Sequence, residues 1–118
     1  MVKIIIAGSR NFDKYQALKA KCDYFLSGMN EEIMIVSGGA NGTDKLGERY
    51  ARERGYMCTI FKPDWEKDGK AAGVIRNEKM AKYSDYLIAF WDGYSKGTKN
   101  MIDNAQKYKL KTRVIKIS

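Results

Sequence analysis

The 118-residue chain contains no histidine at all. That absence removes Ser-His-Asp and Cys-His nucleophile pairs and leaves a zinc ion without its commonest nitrogen ligand, so no metal site is expected. Any chemistry must rest on carboxylates, arginine, lysine, tyrosine or water. Cysteine is limited to Cys22 and Cys58, which fall in a helical and a strand pattern without metal-ligand spacing. They read as a pair of buried thiols rather than a disulfide framework. Proline occurs once, at Pro63. No apolar run is long enough to cross a membrane, and Met1 to Ala7 is too short for a secretion signal, so a cytoplasmic location without membrane partners is expected. Acidic residues are in deficit: 22 Lys and Arg stand against 14 Asp and Glu, a net charge of +8. Such an excess attracts anionic ligands or polyanions without choosing between them.

What is present alternates regularly. Val2 to Ala7 is a continuous apolar run stopped by Gly8-Ser9-Arg10, the pattern of a strand buried on both faces. From Asp13 onward Tyr15, Leu18, Cys22, Phe25 and Met29 recur at helical spacing, with Gly28 at a C-cap position. Ile33 to Val36 predicts a second strand, followed by the glycine-rich turn Ser37 to Asp44 and a helix closed by Gly55. Met57 to Phe61 predicts a third strand, Lys62 to Lys70 a long polar connection, and Ala71 to Tyr83 a helix. Asp85 to Trp91 predicts a fourth strand, Asp92 to Thr98 a second glycine-containing turn, Lys99 to Tyr108 a helix, and Arg113 to Ile117 a fifth strand. This strand–helix alternation over a length suited to one domain predicts an α/β fold with a doubly wound parallel sheet, strand order 3-2-1-4-5, and helices on both faces.

In such a sheet, ligands bind beyond the carboxyl ends of the strands, where the strand order reverses. Glycines there let backbone approach a phosphate, and a helix N-terminus offers amides and a favourable dipole to an anion. The turns after the second and fourth strands both end in Gly-Thr, at Gly42-Thr43 and Gly97-Thr98. Arg10 follows the first strand and offers a planar fork to phosphate or carboxylate oxygens. Asp44 opens the second helix, where it either caps the helix, holds a ribose hydroxyl or polarises water. The loop carrying Asp64, Trp65, Lys67 and Lys70 is placed to fold over the cleft, with Arg76-Asn77 downstream. Trp65 and Trp91 are the residues able to stack on a base, or else to pack in the core.

These motifs together resemble the SLOG superfamily, which groups the Smf/DprA proteins, the LOG nucleotide hydrolases and YpsA-like proteins. The nearest likeness is to its small YspA-type branch. The matching residues span nearly the whole chain: Gly8-Ser9-Arg10; Ser37-Gly38-Gly39-Ala40-Asn41-Gly42-Thr43-Asp44; Pro63-Asp64-Trp65 with Lys70; Arg76-Asn77; Trp91-Asp92-Gly93; and Gly97-Thr98. The resemblance implies a Rossmann-like fold and a pocket for a nucleotide-type ligand with Gly38, Gly39, Gly42 and Thr43 near phosphate. It implies no obligatory cofactor, and pairing into a homodimer. LOG enzymes carry Pro-Gly-Gly-x-Gly-Thr-x-x-Glu after the fourth strand. Here Trp91-Asp92-Gly93 replaces Pro-Gly-Gly, and Met101 stands where the catalytic glutamate is expected. Asp103 lies two residues further on, rotated by roughly 200 degrees around a helix, and points elsewhere.

Three functions follow as expectations. The first is a binding module that senses, carries or sequesters a nucleotide or nucleotide derivative. The second is a nucleotide hydrolase, N-glycosidic or phosphoester, using Asp44 or Asp92 to activate water and Arg76 to stabilise developing charge. The third is binding of single-stranded nucleic acid, prompted by the +8 charge and the DprA likeness but opposed by lysines scattered without interleaved aromatics.

Overall fold

The computed structural model describes residues 1–117. Mostly apolar runs form the central strands β1 (Val2–Gly8), β2 (Ile33–Ser37) and β4 (Tyr86–Trp91), and the more exposed β3 (Met57–Ile60) and β5 (Lys111–Lys116) form the edges. All neighbours pair parallel in the order β3-β2-β1-β4-β5, as the alternation predicts. β1 sits at the centre, its Ile4, Ile5 and Ile6 fully buried because helices cover both faces. On one face Ile4, Ile6, Ile35 and Phe90 pack against Tyr15, Leu18 and Cys22 of α1 (Tyr15–Leu26) and Tyr50 and Ala51 of α2 (Thr43–Arg54). On the other, Ile5, Val36, Leu87 and Ala89 meet Met80 and Ala81 of α4 (Ala72–Tyr83) and Met101, Ile102 and Ala105 of α5 (Lys96–Lys107). The alternation of β1 side chains between the two clusters is the strand period of two expressed as two cores.

Four expectations are corrected. The connection predicted as a polar loop over Lys62 to Lys70 contains a one-turn helix, α3 (Trp65–Asp68), and a 3-10 turn, Gly69–Ala71. Asp64 starts α3 by accepting the Lys67 amide at 3.1 Å. The helix predicted from Lys99 begins at Lys96, because Ser95 is the N-cap and accepts the Thr98 amide at 3.4 Å; Gly97 and Thr98 therefore belong to the helix. β5 begins at Lys111, before the apolar residues that predicted it, because Lys111 and Thr112 continue the register against Tyr86 and Leu87. Cys58 is exposed, whereas Cys22 is buried. β3 is an edge strand with Met57 and Ile60 open to solvent, so its apolar pattern does not mean burial. Among the described residues no helix is long and apolar enough to cross a membrane.

Candidate functional site

The turn between β2 and α2 is held by its own side chains. Ser37, fully buried at the end of β2, donates its hydroxyl to Glu48 Oε2 at 2.7 Å and accepts the Gly39 amide at 3.0 Å. The Ala40 amide goes to Asp44 Oδ2 at 3.2 Å. Thr43 donates its hydroxyl to the Ser9 carbonyl at 3.0 Å, and its amide reaches the same oxygen, which ties the turn to the one after β1. Glycine is required at position 42 on two counts. Its φ is +76°, and a Cβ there would fall 2.2 Å from the Arg10 carbonyl oxygen. The Gly39 and Ala40 amides expected to face an anion are thus used within the turn.

Over Gly38 lie a cation and an anion. Arg76, half-buried on α4, donates Nη1 to the Gly38 carbonyl and Nε to Asn77 Oδ1 at 3.0 Å. Asp44 is 6% exposed. Burial pushes its carboxyl up to about 6, and the Glu48 charge adds to this, while the Ala40 amide, Arg76 and Arg10 pull it back toward the ordinary carboxylate range. Burial likewise lowers the Arg76 guanidinium, opposed by the Asp44 charge.

The turn between β4 and α5 is built differently. The Asp92 carboxylate accepts the Tyr94 and Ser95 amides, both at 2.8 Å, and those bonds hold it below the usual carboxylate range. Its own amide reaches the Ser9 hydroxyl at 3.3 Å. Trp91 packs against the α4–α5 core and donates its indole Nε1 to the Ser95 carbonyl at 3.0 Å. Asn77 bridges α4 to α5 through the Gly97 carbonyl at 3.3 Å and Asn100 Oδ1 at 2.9 Å.

Two chambers result, sharing a wall of Arg10, Gly38, Ala40 and Arg76. The narrow one, about 60 Å³, lies where β1 and β4 separate the two halves of the sheet, and brings Asp44 and Asn77 together with Gly8, Gly97 and Thr98. The wide one, about 520 Å³, extends toward β3 and is lined by Gly39, Lys45, Ile60, Lys62, Pro63 and Trp65. The sequence-predicted residues accordingly divide. Ser9, Ser37, Gly42, Thr43 and Trp91 line neither chamber and hold its walls from behind. Asp92 faces another hollow beside Phe12 and Lys116, and Asp64 a shallow one beside Lys79. Lys70 is exposed and lines neither chamber. Trp91 as a stacking surface and Asp92 as a water-activating base are therefore not part of this cleft. Sequence reasoning missed Glu48, which is buried and anchors Ser37, and Asn100, which partners Asn77. A glutamate at helical spacing from Asp44 was the available signal for the first; nothing marked the second. Lys45, Ile60 and Lys62 on the wide chamber were also missed.

A doubly wound parallel sheet with a cleft at the reversal of strand order defines a Rossmann-like protein. More narrowly, the chain belongs to the YspA, cpYpsA-related SLOG family, which residues 2–67 match. It is 36% identical over 114 residues to the Gene 61 protein of Mycobacterium phage D29, covering 91% of this chain and 90% of the phage protein. Its fold is similar to that of DNA processing protein A (DprA) from Streptococcus pneumoniae, with TM-score 0.78 at 18% identity over 100% of this chain and 51% of DprA. The chain thus spans about half the length of that protein. TM1055 shows the same fold, with TM-score 0.69 at 19% identity over 95% of this chain and 72% of TM1055.

Proposed function

We propose that the chain binds a nucleotide or nucleotide-derived phosphate ligand at the carboxyl ends of β1, β2 and β4, as a sensing, carrying or sequestering module. The observation that carries this is the pair of chambers meeting at Arg10 and Arg76. The wide one has the size of a small-molecule pocket and an apolar wall of Ile60, Pro63 and Trp65. A base stacks there on the exposed Trp65 ring, while Arg10, which forms no salt bridge among the described residues, meets phosphate oxygens at the shared wall. The first turn of α5 adds its dipole on the narrow side.

Mass spectrometry of small molecules released from the purified, heat-denatured protein, alongside thermal shifts with common nucleotides, tests the reading. A nucleotide in the released fraction supports it. No such ligand and no shift with any nucleotide overturns it.

One observation favours hydrolysis as a second reading. Asp44, with its carboxyl near 6 and Arg76 beside it, has the acidity of a general base working near neutral pH. Against it stands Met101, buried at 2% exposure where the LOG glutamate would be. Release of free base or phosphate from nucleotides, lost in Asp44→Asn, would establish turnover.

A further inference from the structure

The turn after β2 presents a carboxylate to the cleft where a phosphate-binding loop presents amides. The Gly39 and Ala40 amides are taken by Ser37 Oγ and Asp44 Oδ2. Asp44 Oδ1 accepts no hydrogen bond among the described residues, yet it is not sealed from solvent. No lysine or arginine nitrogen lies within 4.0 Å of the carboxylate among those residues, since Arg76 is committed to Gly38 and Asn77. An acceptor held this way, buried and without an ion-pair partner, calls for hydrogen-bond donors and repels the oxygens of a phosphate. The donors must also be small. Asp44 is the one carboxylate lining the narrow chamber among the described residues, and the chamber's roughly 60 Å³ has room for a few water-sized groups. Hydroxyls on the edge of a sugar meet that size, whereas the wide chamber, about 520 Å³, has the room for a base.

We infer that Asp44 accepts hydrogen bonds from the hydroxyls of a ribose, so that the site takes ribonucleotides in preference to 2′-deoxyribonucleotides. This deepens the nucleotide reading and rests on it. In this arrangement the sugar lies at the mouth of the narrow chamber with its hydroxyl edge toward Asp44, the phosphate lies on the Arg10 side of the shared wall, and the base occupies the wide chamber. A site that hydrogen-bonds a substrate hydroxyl rejects the analogue lacking it, because its own polar group is left unpaired. The groups facing Asp44 are Arg76 from α4, Arg10 from the turn after β1 and Glu48 from α2. With the two arginines nearby the carboxylate ionises within the neutral range, and the ionised form is the stronger acceptor.

Calorimetry with the four ribonucleoside 5′-monophosphates and their 2′-deoxy counterparts tests this on the intact wild-type chain, needing no variant that has to fold. At least one ribonucleotide is expected to bind about tenfold or more tightly than its deoxy form. In Asp44→Asn, with its fold checked by circular dichroism, the ribose preference is expected to fall by about fivefold or more, because a neutral amide oxygen accepts more weakly than a carboxylate. The wild-type preference is expected to grow between pH 5 and pH 7, against a flat preference in the Asn variant. Comparing ribo with deoxy cancels the titration of the phosphate itself. Equal binding of ribo and deoxy forms by the wild type overturns the inference while leaving the nucleotide reading standing. An undiminished preference in Asp44→Asn, or tighter ribonucleotide binding by that variant, also overturns it. Failure of every nucleotide to bind overturns both.

Discussion

Gly38 is the floor on which Arg76 and Asp44 both rest: a Cβ at that position would fall 2.8 Å from Arg76 Nη1 and 2.9 Å from Asp44 Oδ2. Both obstructing atoms are the ends of side chains, so Gly38→Ala is expected to displace them while the backbone stays. Ligand affinity should drop by about tenfold or more and the melting temperature by only a few degrees, as read by calorimetry and thermal denaturation.

Gly42→Ala should behave in the opposite way. The obstruction there is the Arg10 carbonyl, which is backbone, and the φ of +76° is unfavourable for any side chain. A loss of about 3 kcal/mol or more is expected in urea denaturation, larger than for any other glycine of the turn.

Ser37→Ala removes the hydroxyl that Glu48 accepts at 2.7 Å and that receives the Gly39 amide. The buried Glu48 carboxylate then lacks that donor and, among the described residues, keeps Lys45 at 3.6 Å as its one ion-pair partner. A cost of about 1–3 kcal/mol follows, and Ser37→Ala combined with Glu48→Gln should recover part of it in a double-mutant cycle.

The raised Asp44 carboxyl carries a signed pH dependence. Its folded value of about 6 lies above the ordinary 3.8. The protonated form is therefore the one the fold favours, and its contribution is complete below about pH 4 and is lost as pH rises through 6. Wild type should lose about 2–3 kcal/mol relative to Asp44→Asn between pH 4 and pH 7 in denaturant titrations. Groups such as Asp92 and Glu78, whose carboxyls are held low, act in the opposite direction and below that window. A flat difference between wild type and variant would show that Asp44 is not buried as described.

Trp65→Ala tests the wide chamber. The ring is 55% exposed, so its loss should leave stability within about 0.5 kcal/mol. If a base stacks on it, nucleotide affinity falls by about 1–3 kcal/mol, and ligand quenches the Trp65 fluorescence that remains in Trp91→Phe.

The sheet was legible because its central strands are mostly apolar and each helix carries its own spacing; Val2 to Ala7 and Ile33 to Val36 leave little alternative, whereas β5, with Val114 and Ile115 set between charged residues, was placed two residues late. The convergence of the turns after β2 and β4 followed from topology alone. What those turns do with their polar atoms did not. Asp92 reads like a free carboxylate until its bonds to Tyr94 and Ser95 are seen, and Trp91 like an open ring until its indole is found against Ser95. Ser95 as the cap of α5 was readable, since serine followed within three residues by Thr98 is an ordinary helix start, but the glycine at position 97 drew the boundary too late. The partnership of Glu48 with Ser37 and of Asn77 with Asn100 joins side chains far apart in sequence or register, which spacing along one chain does not encode.

The bonds from Gly39 to Ser37 and from Ala40 to Asp44 have a kinetic consequence. A turn held by its own side chains has less disorder to surrender, so under the proposed function less of the binding energy would be lost to ordering it. Backbone amide exchange at Gly39 and Ala40 should accordingly be slow with no nucleotide added.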